Sequence, residues 1–358
     1  MDKKTAMIAM SGGVDSSVAA YLMQHSGFDC AGAMMHLHDY TPKDNSFTSD
    51  SVEDARNVAR KLDIPFHLID AVSEFDEKVI QQFVHCYECG ATPNPCIQCN
   101  RHLKFDLFLR NAQDLGYDTI VTGHYARIRY DENTGRYLLL KAADPSKDQS
   151  YVLYCLNQEQ LAHTAFPLGE MTKEQVRAIA EDRGFLNARK RDSQDICFSP
   201  DGDYVAFMER YTGKKYAPGD YLDLEGKVVG KHRGAVCYTL GQRKGLNLAL
   251  GAPVYVCSKD MQKNTVTVGP NEALFARTLV ADNWNWIPFP TLTEPMHVNA
   301  RARYNQKEQP ATVYPGENGT ARVVFDQPQR AMTPGQAVVL YDGDILVGGG
   351  TIIDVIHD

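Results

Sequence analysis

The sequence is short of several things, and each shortage narrows the function. No apolar run approaches the ~18 residues that cross a bilayer. The apolar stretch at residues 6–10 is shorter than the core of a secretory signal and runs straight into glycines. The expected compartment is therefore the cytoplasm, with no membrane partner. Basic residues are outnumbered, 37 Lys and Arg against 45 Asp and Glu for a net charge of −8. That balance excludes a global basic field of the kind that coats nucleic acid indiscriminately, though not a local one. Nine cysteines in 358 residues are too few for a disulfide scaffold. In a reducing compartment they are thiols, and a cluster of them points first to metal binding or catalysis. Neither G-x-x-x-x-G-K-S/T nor G-x-G-x-x-G occurs, and there is no internal repeat or low-complexity tract.

What remains is ordinary globular text, 43% apolar and 23% charged, long enough for two or three domains. Over the first ~200 residues strand-like and helix-like patterns alternate. Strands are expected at 5–10, 30–37, 66–69 and 119–122, and helices at 14–25, 51–62 and 173–182, the last stopping at Gly184. Such alternation predicts a parallel sheet covered by helices on both faces. Beyond Pro200 the texture changes. A short helix at 203–211 leads into Gly-rich strands at 227–229, 235–238, 254–257 and 265–268, then 311–313, 320–325 and 338–341. The chain thus reads as an α/β domain over 1–200, a small β-rich central domain over 201–273, and a β-barrel-like domain over 274–358.

Ser11-Gly12-Gly13-Val14-Asp15-Ser16-Ser17 lies between the first strand and the first helix, at the sheet edge where ligands bind. Glycines allow close backbone approach to an anion, the serines add donors, and the helix start contributes free N–H groups and a positive dipole end. The string resembles the pyrophosphate loop, or PP-loop, of the ATP pyrophosphatases, whose fold is of the adenine nucleotide alpha hydrolase type. These enzymes cleave ATP between the α and β phosphates and adenylate a second substrate.

Two further strings choose among the branches. In Thr92-Pro93-Asn94-Pro95-Cys96-Ile97-Gln98-Cys99-Asn100, Asn100 is read as a helix N-cap, which would place Cys99 at a helix start, where the dipole favours thiolate. Cys197 lies in Asp192-Ser193-Gln194-Asp195-Ile196-Cys197-Phe198. Together with Gly123-His124-Tyr125, Lys147-Asp148-Gln149-Ser150-Tyr151, Tyr238-Thr239-Leu240-Gly241-Gln242-Arg243-Lys244-Gly245, Arg301-Ala302-Arg303-Tyr304 and Thr333-Pro334-Gly335-Gln336, these resemble the tRNA-specific 2-thiouridylases over nearly the whole chain.

The resemblance implies an ATP-dependent transferase that replaces the C2 oxygen of the tRNA wobble uridine with sulfur. It implies that Ala9, Met10, Ser11, Gly12, Gly13, Val14, Asp15 and Ser16 hold ATP with magnesium, Asp15 also serving catalysis, and that Met35 and Gly123 contact the nucleotide. Cys197 would carry the persulfide and Cys99 would be the partner nucleophile, closing a transient Cys99–Cys197 disulfide. Asn94, Pro95 and Cys96 would lie against the target base, and His124, Lys147, Asp148, Gln149, Arg303, Tyr304 and Gln336 would touch tRNA; His124 is exposed on a loop in that reading, and a lone histidine is equally a satisfied structural group. The sulfur donor would be a cysteine desulfurase or a sulfur-relay protein.

Alternatives stay open on the residues alone. Cys86-Tyr87-Glu88-Cys89 beside Cys96-Ile97-Gln98-Cys99 has the spacing of a zinc knuckle. Cys96, Cys99 and Cys197 are a ligand set for an iron–sulfur cluster with one iron open. An ammonia-using ligase of the same superfamily would need no paired thiols, and a non-enzymatic RNA-binding protein would not release pyrophosphate. Local basic clusters at Arg189-Lys190-Arg191, Lys214-Lys215, Lys231-His232-Arg233 and Arg243-Lys244 are RNA contacts or solvated surface charge. Cys30, Cys155, Cys237 and Cys257 sit in apolar runs and read as core.

Overall fold

The computed structural model describes residues 4–38, 49–185, 196–199 and 202–357. Four parallel strands, β1 (Thr5–Ala9), β2 (Asp29–His36), β3 (Phe66–Asp70) and β4 (Thr119–Val121), are followed by a hairpin of β5 (Arg127–Asp131) and β6 (Arg136–Leu140) and by the two-residue β7 (Thr164–Ala165). The parallel sheet has the order β3-β2-β1-β4-β7. Side chains of β1 alternate across it. Ala6 and Ile8 pack with Val18 and Ala19 of the helix Val14–His25, and Met7 packs with Phe105 and Phe108 on the opposite face. Both faces are dry, so the strands read as continuous apolar runs. Their C-terminal ends bring the exits of β1, β2 and β4 to one edge.

The central sheet contains β8 (Gly219–Leu222), β9 (Val228–His232), β10 (Tyr255–Asp260) and β11 (Thr265–Gly269) in the order β10-β11-β8-β9. Residues 235–238, expected as a strand, form instead a 3₁₀ turn, Ala235–Cys237. Ala235, Val236 and Cys237 are all buried, with no alternation to offer a sheet, and Gly234 at φ 124° turns the chain into the Gly234–Cys237 bond.

The last six strands, β12 (Phe275–Trp286), β13 (Met296–Arg301), β14 (Gln309–Pro315), β15 (Ala321–Arg330), β16 (Ala337–Asp342) and β17 (Ile345–Ile356), close into an antiparallel barrel through a β12–β17 pairing. The β5–β6 hairpin, which the sequence reading did not anticipate, joins the barrel sheet through Leu140 opposite Ile345. Asn285 of β12 donates to the carbonyls of Tyr154 and Leu156 at 2.6 and 2.7 Å, and the Tyr151 hydroxyl donates to Ala337 at 2.8 Å. Barrel and parallel-sheet segments therefore share one hydrogen-bonded seam.

At one end of this seam the turn before β16 rests on the segment before Cys96. Thr92 N–H donates to Pro334 at 2.9 Å, and Gln336 Nε2 donates to Thr92 O at 2.7 Å. Gly335 has φ +88°, and a Cβ there would stand 2.9 Å from Ala91 Cβ and 3.0 Å from Thr92 N. A Gly335→Ala variant should lose about 1–3 kcal/mol of stability, with faster hydrogen exchange at the Thr92 amide. An unchanged melting midpoint together with unchanged exchange would show that this contact does not hold the segment.

Candidate active site

The phosphate loop leaves β1 at Ala9 and Met10 and enters the helix Val14–His25 with Gly13 as an extended N-cap that no side chain caps. Ser16 Oγ donates to Gly13 O at 3.1 Å and accepts from Ser11 N at 3.2 Å, and Ser17 Oγ donates to the same carbonyl at 3.0 Å. These bonds curl the loop and leave the first helical turn to present its N–H groups to an anion. Gly123, just past β4, lies directly over the loop: a Cβ there would meet Asp15 and Ser16 backbone atoms at 2.9 Å. Met35, near the end of β2, packs between the two cores that flank this edge.

Asp15 does not face solvent alone. It accepts from the Tyr125 hydroxyl at 2.8 Å and from Lys173 Nζ at 2.8 Å on each carboxylate oxygen. Lys173 is 8% exposed. The sequence pattern predicts it only as the first residue of an amphipathic helix. A signal was present, since Lys173 directly follows Thr172, whose side chain forms a capping box with Gln175. A cation at the first helical position opposes the macrodipole.

The thiol side differs from expectation. Asn94, not Asn100, is the N-cap: its side chain accepts from Cys96 N at 3.1 Å, and Pro95 occupies the first helical position. Cys99 is the last residue of Pro95–Cys99, and the helix continues as a π-helical stretch, Asn100–Leu107, into Phe108–Asp114. Asn100 is a buried interior residue whose amide donates to Val152 O at 2.9 Å. Cys99 is thus buried mid-helix, one turn from the dipole end. Its pKa is raised by burial, with Lys104 pulling it down and a charge on Cys96 pushing it up.

Cys197 is pushed up to about 12, by burial first, then by the charges that Cys99 and Cys96 would carry, again opposed by Lys104. The three thiols share one electrostatic neighbourhood, and all nine cysteines are free. Cys197 is exposed at the surface, while the protein atoms around it still desolvate its thiol. Its neighbour Phe198 anchors it, packing on Phe75, Phe83 and Phe207 at ring distances of 5.9, 5.1 and 4.8 Å. Residues 192–195, and the cluster Arg189-Lys190-Arg191, lie outside the described residues.

The stretches expected to meet tRNA converge from three parts of the chain. The Tyr304 phenol, its pKa raised by burial, senses Arg301, Asp148, Cys96 and Lys147. Tyr304 remains 37% exposed, a ring beside Cys96 on which a base can stack. Asp148 accepts from Ala142 N and Ser150 N and faces Arg301 at 3.5 Å. Gln149 is bound to Tyr125 through both its backbone N–H and its side-chain carbonyl, at 2.9 Å each.

Other candidates are committed internally. Arg303 donates to Leu240 O at 3.3 Å, to Ala331 O and to Thr333 Oγ1 at 2.8 Å, tying the central segment to the barrel. Gln336 holds Thr92. His124 is not on an exposed loop: its ring lies between Phe105 and Phe166 at 5.7 and 6.0 Å and bonds Thr122 Oγ1 at 2.7 Å. Burial first, then Lys104, holds its pKa well below the usual imidazole range, so it is neutral. In the surface clusters Lys214, Lys215 and Lys231 pair with Glu88, Glu209 and Asp220, exposed pairs that stabilise little.

Among the described residues no three Cys, His, Asp or Glu side chains converge on a metal-holding position. Neither the zinc knuckle on Cys86, Cys89, Cys96 and Cys99 nor the iron–sulfur set on Cys96, Cys99 and Cys197 fits this arrangement, so no chemistry below is routed through either. Cys89 instead faces His85, Sγ to Nε2 3.7 Å.

With this geometry in view, comparison with known proteins is decisive. The tRNA methyl transferase HUP domain family matches residues 4–201, its PRC-barrel domain 205–270, and the aminomethyltransferase beta-barrel domain 276–352. The tRNA-specific 2-thiouridylase MnmA of Acetivibrio thermocellus is 49% identical over 98% of this chain and 100% of its own length. The chain belongs to the tRNA-specific 2-thiouridylase family. The namesakes from Clostridioides difficile and Clostridium acetobutylicum are each 48% identical over 98% of this chain, covering 98% and 100% of their own lengths. The domain descriptions speak of methyl transfer, but the full-length relatives are thiouridylases, and the paired thiols suit sulfur chemistry. No helix among the described residues is long and apolar enough to cross a membrane.

For a thiouridylase site these thiols are quiet in the free protein, because a raised pKa keeps a thiol protonated to higher pH. Alkylation of Cys99 and Cys197, followed by peptide mass spectrometry, should therefore keep accelerating above pH ~9, beyond the ordinary thiol value of ~8.5. A plateau below pH ~8 would mean thiolates already formed and would overturn the burial argument.

Proposed function

We propose that this chain performs ATP-dependent 2-thiolation of the wobble uridine of tRNA, adenylating the C2 oxygen and transferring sulfur from a cysteine persulfide, with release of AMP and pyrophosphate. The observation that carries the reading is the hydrogen-bonded chain from Asp15 through Tyr125 to Gln149, with Asp148 and Cys96 both within electrostatic reach of Tyr304. It joins a phosphate loop to a thiol site beside an exposed aromatic ring. A uridine C2 carbonyl is a poor electrophile with a poor leaving oxygen, and adenylation turns that oxygen into AMP. A single-stranded anticodon base can be splayed out to reach such a site.

In this reading Ala9, Met10, Ser11, Gly12, Gly13, Val14, Asp15 and Ser16 cradle the phosphates, and Met35 and Gly123 flank the nucleotide. The Asp15 carboxylate, partly exposed at the loop, is a hard-oxygen donor that fits magnesium, which takes one or two carboxylates and completes its shell with phosphate and water. Bound there, it would neutralise phosphate charge. The terminal sulfur of a Cys197 persulfide attacks C2. Cys99 then attacks the inner Cys197 sulfur, and the S–S electron pair stays with the transferred sulfur. AMP leaves, and a Cys99–Cys197 disulfide remains for a thiol reductant to open. Lys104, which favours the thiolate at both cysteines, helps each ionise. A cysteine desulfurase or a sulfur-relay protein of the cytoplasm supplies the persulfide. Segment 1–200 carries catalysis, 201–273 contacts tRNA, and 274–358 is the barrel that completes the site.

The test is anaerobic thiolation of unmodified tRNA with ATP, magnesium and sulfide, read by nucleoside mass spectrometry. Sulfur should appear on the anticodon uridine only with ATP. The rate should fall at least ~1,000-fold in Cys99→Ser and in Cys197→Ser and be unaffected by chelator pretreatment of the protein before magnesium is added. Thiolation that survives Cys197→Ser would remove the persulfide route, and loss on chelation would replace it with a metal cluster.

A further inference from the structure

Pyrophosphate leaves an α-phosphorus with several negative charges, and preorganised positive charge is the strongest lever on such a step. The phosphate loop supplies helix-end N–H groups but no cationic side chain. From residue 9 to residue 17 the one charged side chain is Asp15, an acid. A lysine is nevertheless present, nine-tenths buried and brought from 158 positions away in sequence, with its ammonium on both carboxylate oxygens of Asp15 at 2.8 Å.

Its placement is costly for a staple. Lys173 opens the helix Lys173–Asp182, whose N-terminal dipole repels a cation. A mostly buried ion pair contributes little net stability after desolvation. Asp15 already accepts from Tyr125, and the same Tyr125 ring lies 5.8 Å from the lysine Nζ. Asp15 is the second residue of the helix Val14–His25. The ammonium therefore stands at the first turn, whose N–H groups face the phosphates.

We propose that Lys173 is a catalytic residue for adenylation: its ammonium exchanges Asp15 for the β- and γ-phosphates of bound ATP and neutralises the departing pyrophosphate. The inference rests on the reading of the loop as an ATP site. In the step the substrate oxygen forms a bond to the α-phosphorus and the bond from that phosphorus to the α–β bridging oxygen breaks. The electron pair leaves with pyrophosphate. Lys173 stays protonated throughout and transfers no proton. Asp15 holds the ammonium in the nucleotide-free protein and gives it up when phosphate arrives.

The proposal separates the phosphate tail from the rest of the nucleotide. Equilibrium binding of AMP, of α,β-methylene-ATP and of inorganic pyrophosphate would be compared in wild type, Lys173→Met and Lys173→Arg. Lys173→Met should weaken the ATP analogue and pyrophosphate at least ~10-fold and AMP by less than ~2-fold, and Lys173→Arg should recover part of the loss. Single-turnover pyrophosphate release should fall about 100-fold in Lys173→Met, at unchanged tRNA affinity. Equal weakening of AMP and the analogue, or no weakening, would overturn it.

An independent arm keeps the lysine and removes its resting partner. With magnesium absent, Asp15→Asn should bind pyrophosphate several-fold tighter than wild type, because the ammonium is released. Unchanged or weaker binding would reduce Lys173 to a structural contact, whether or not Lys173→Met folds. The binding assays need neither tRNA nor sulfur, and pyrophosphate release needs tRNA as the acceptor but no sulfur. Intact tail discrimination without tRNA thiolation would leave this inference standing and retire the proposed function.

Discussion

The helix that bears Cys96 and Cys99 begins where it does because its approach is held from the far end of the chain. Gln336 and Pro334 grip the two backbone groups of Thr92, and Gly335 lets the two backbones meet. Asn94 then caps, and Pro95 starts the helix with a φ already suited to it. From this point the positions of both thiols follow, since Cys96 falls on the exposed first turn and Cys99 one turn deeper. The barrel that supplies the grip also supplies Arg301 and Tyr304. The site is therefore a product of domain docking, and neither the parallel sheet nor the barrel contains it alone.

Burial decides the resting chemistry. Cys99 is buried and Cys197, though exposed, is crowded by protein atoms; at both, charge is disfavoured, with Lys104 as the counterweight. His124, a residue that elsewhere would titrate near neutrality, is kept neutral between two phenylalanines. A site that handles persulfide benefits from thiols that do not react until substrate changes their surroundings. Cys197 is set in place by the aromatic packing of Phe198 rather than by a regular element.

Hydrogen bonds tie the phosphate loop to the stretch expected to meet RNA. Tyr125 touches Asp15 through its hydroxyl and Gln149 through its backbone. The Gln149 side chain is thereby oriented from the phosphate end, while Asp148 beside it answers to Arg301. Occupancy at the phosphate loop can thus bear on the stretch expected to meet RNA through two residues. Arg303 plays the matching part between the central segment and the barrel.

Much of this was legible from residue pattern alone, for reasons that are local. Strands β1 to β4 follow from short apolar runs bounded by turns, and the helix Lys173–Asp182 from its periodicity and cap. The phosphate loop is contiguous, so its glycines and serines can be read without a fold. Where the sequence reading failed, the deciding force came from elsewhere in the chain. Periodicity does not see β7, two residues long, and the attachment of the β5–β6 hairpin to β17, through Leu140 opposite Ile345, joins residues far apart in sequence. Asn100 looked like a cap because propensity cannot know that Val152 would accept from its amide. The depressed thiol pKa expected at Cys99 reversed because the helix is capped six residues earlier, at Asn94 rather than Asn100, and burial then outweighs the dipole. Lys173 had no neighbour in sequence to give it a role; Asp15 and Tyr125 reach it only when the helix folds back onto the loop. Residue types and their order determined the chemistry available to this protein. The tertiary structure decided which groups are charged, which are held, and which can meet, because those depend on desolvation and distance.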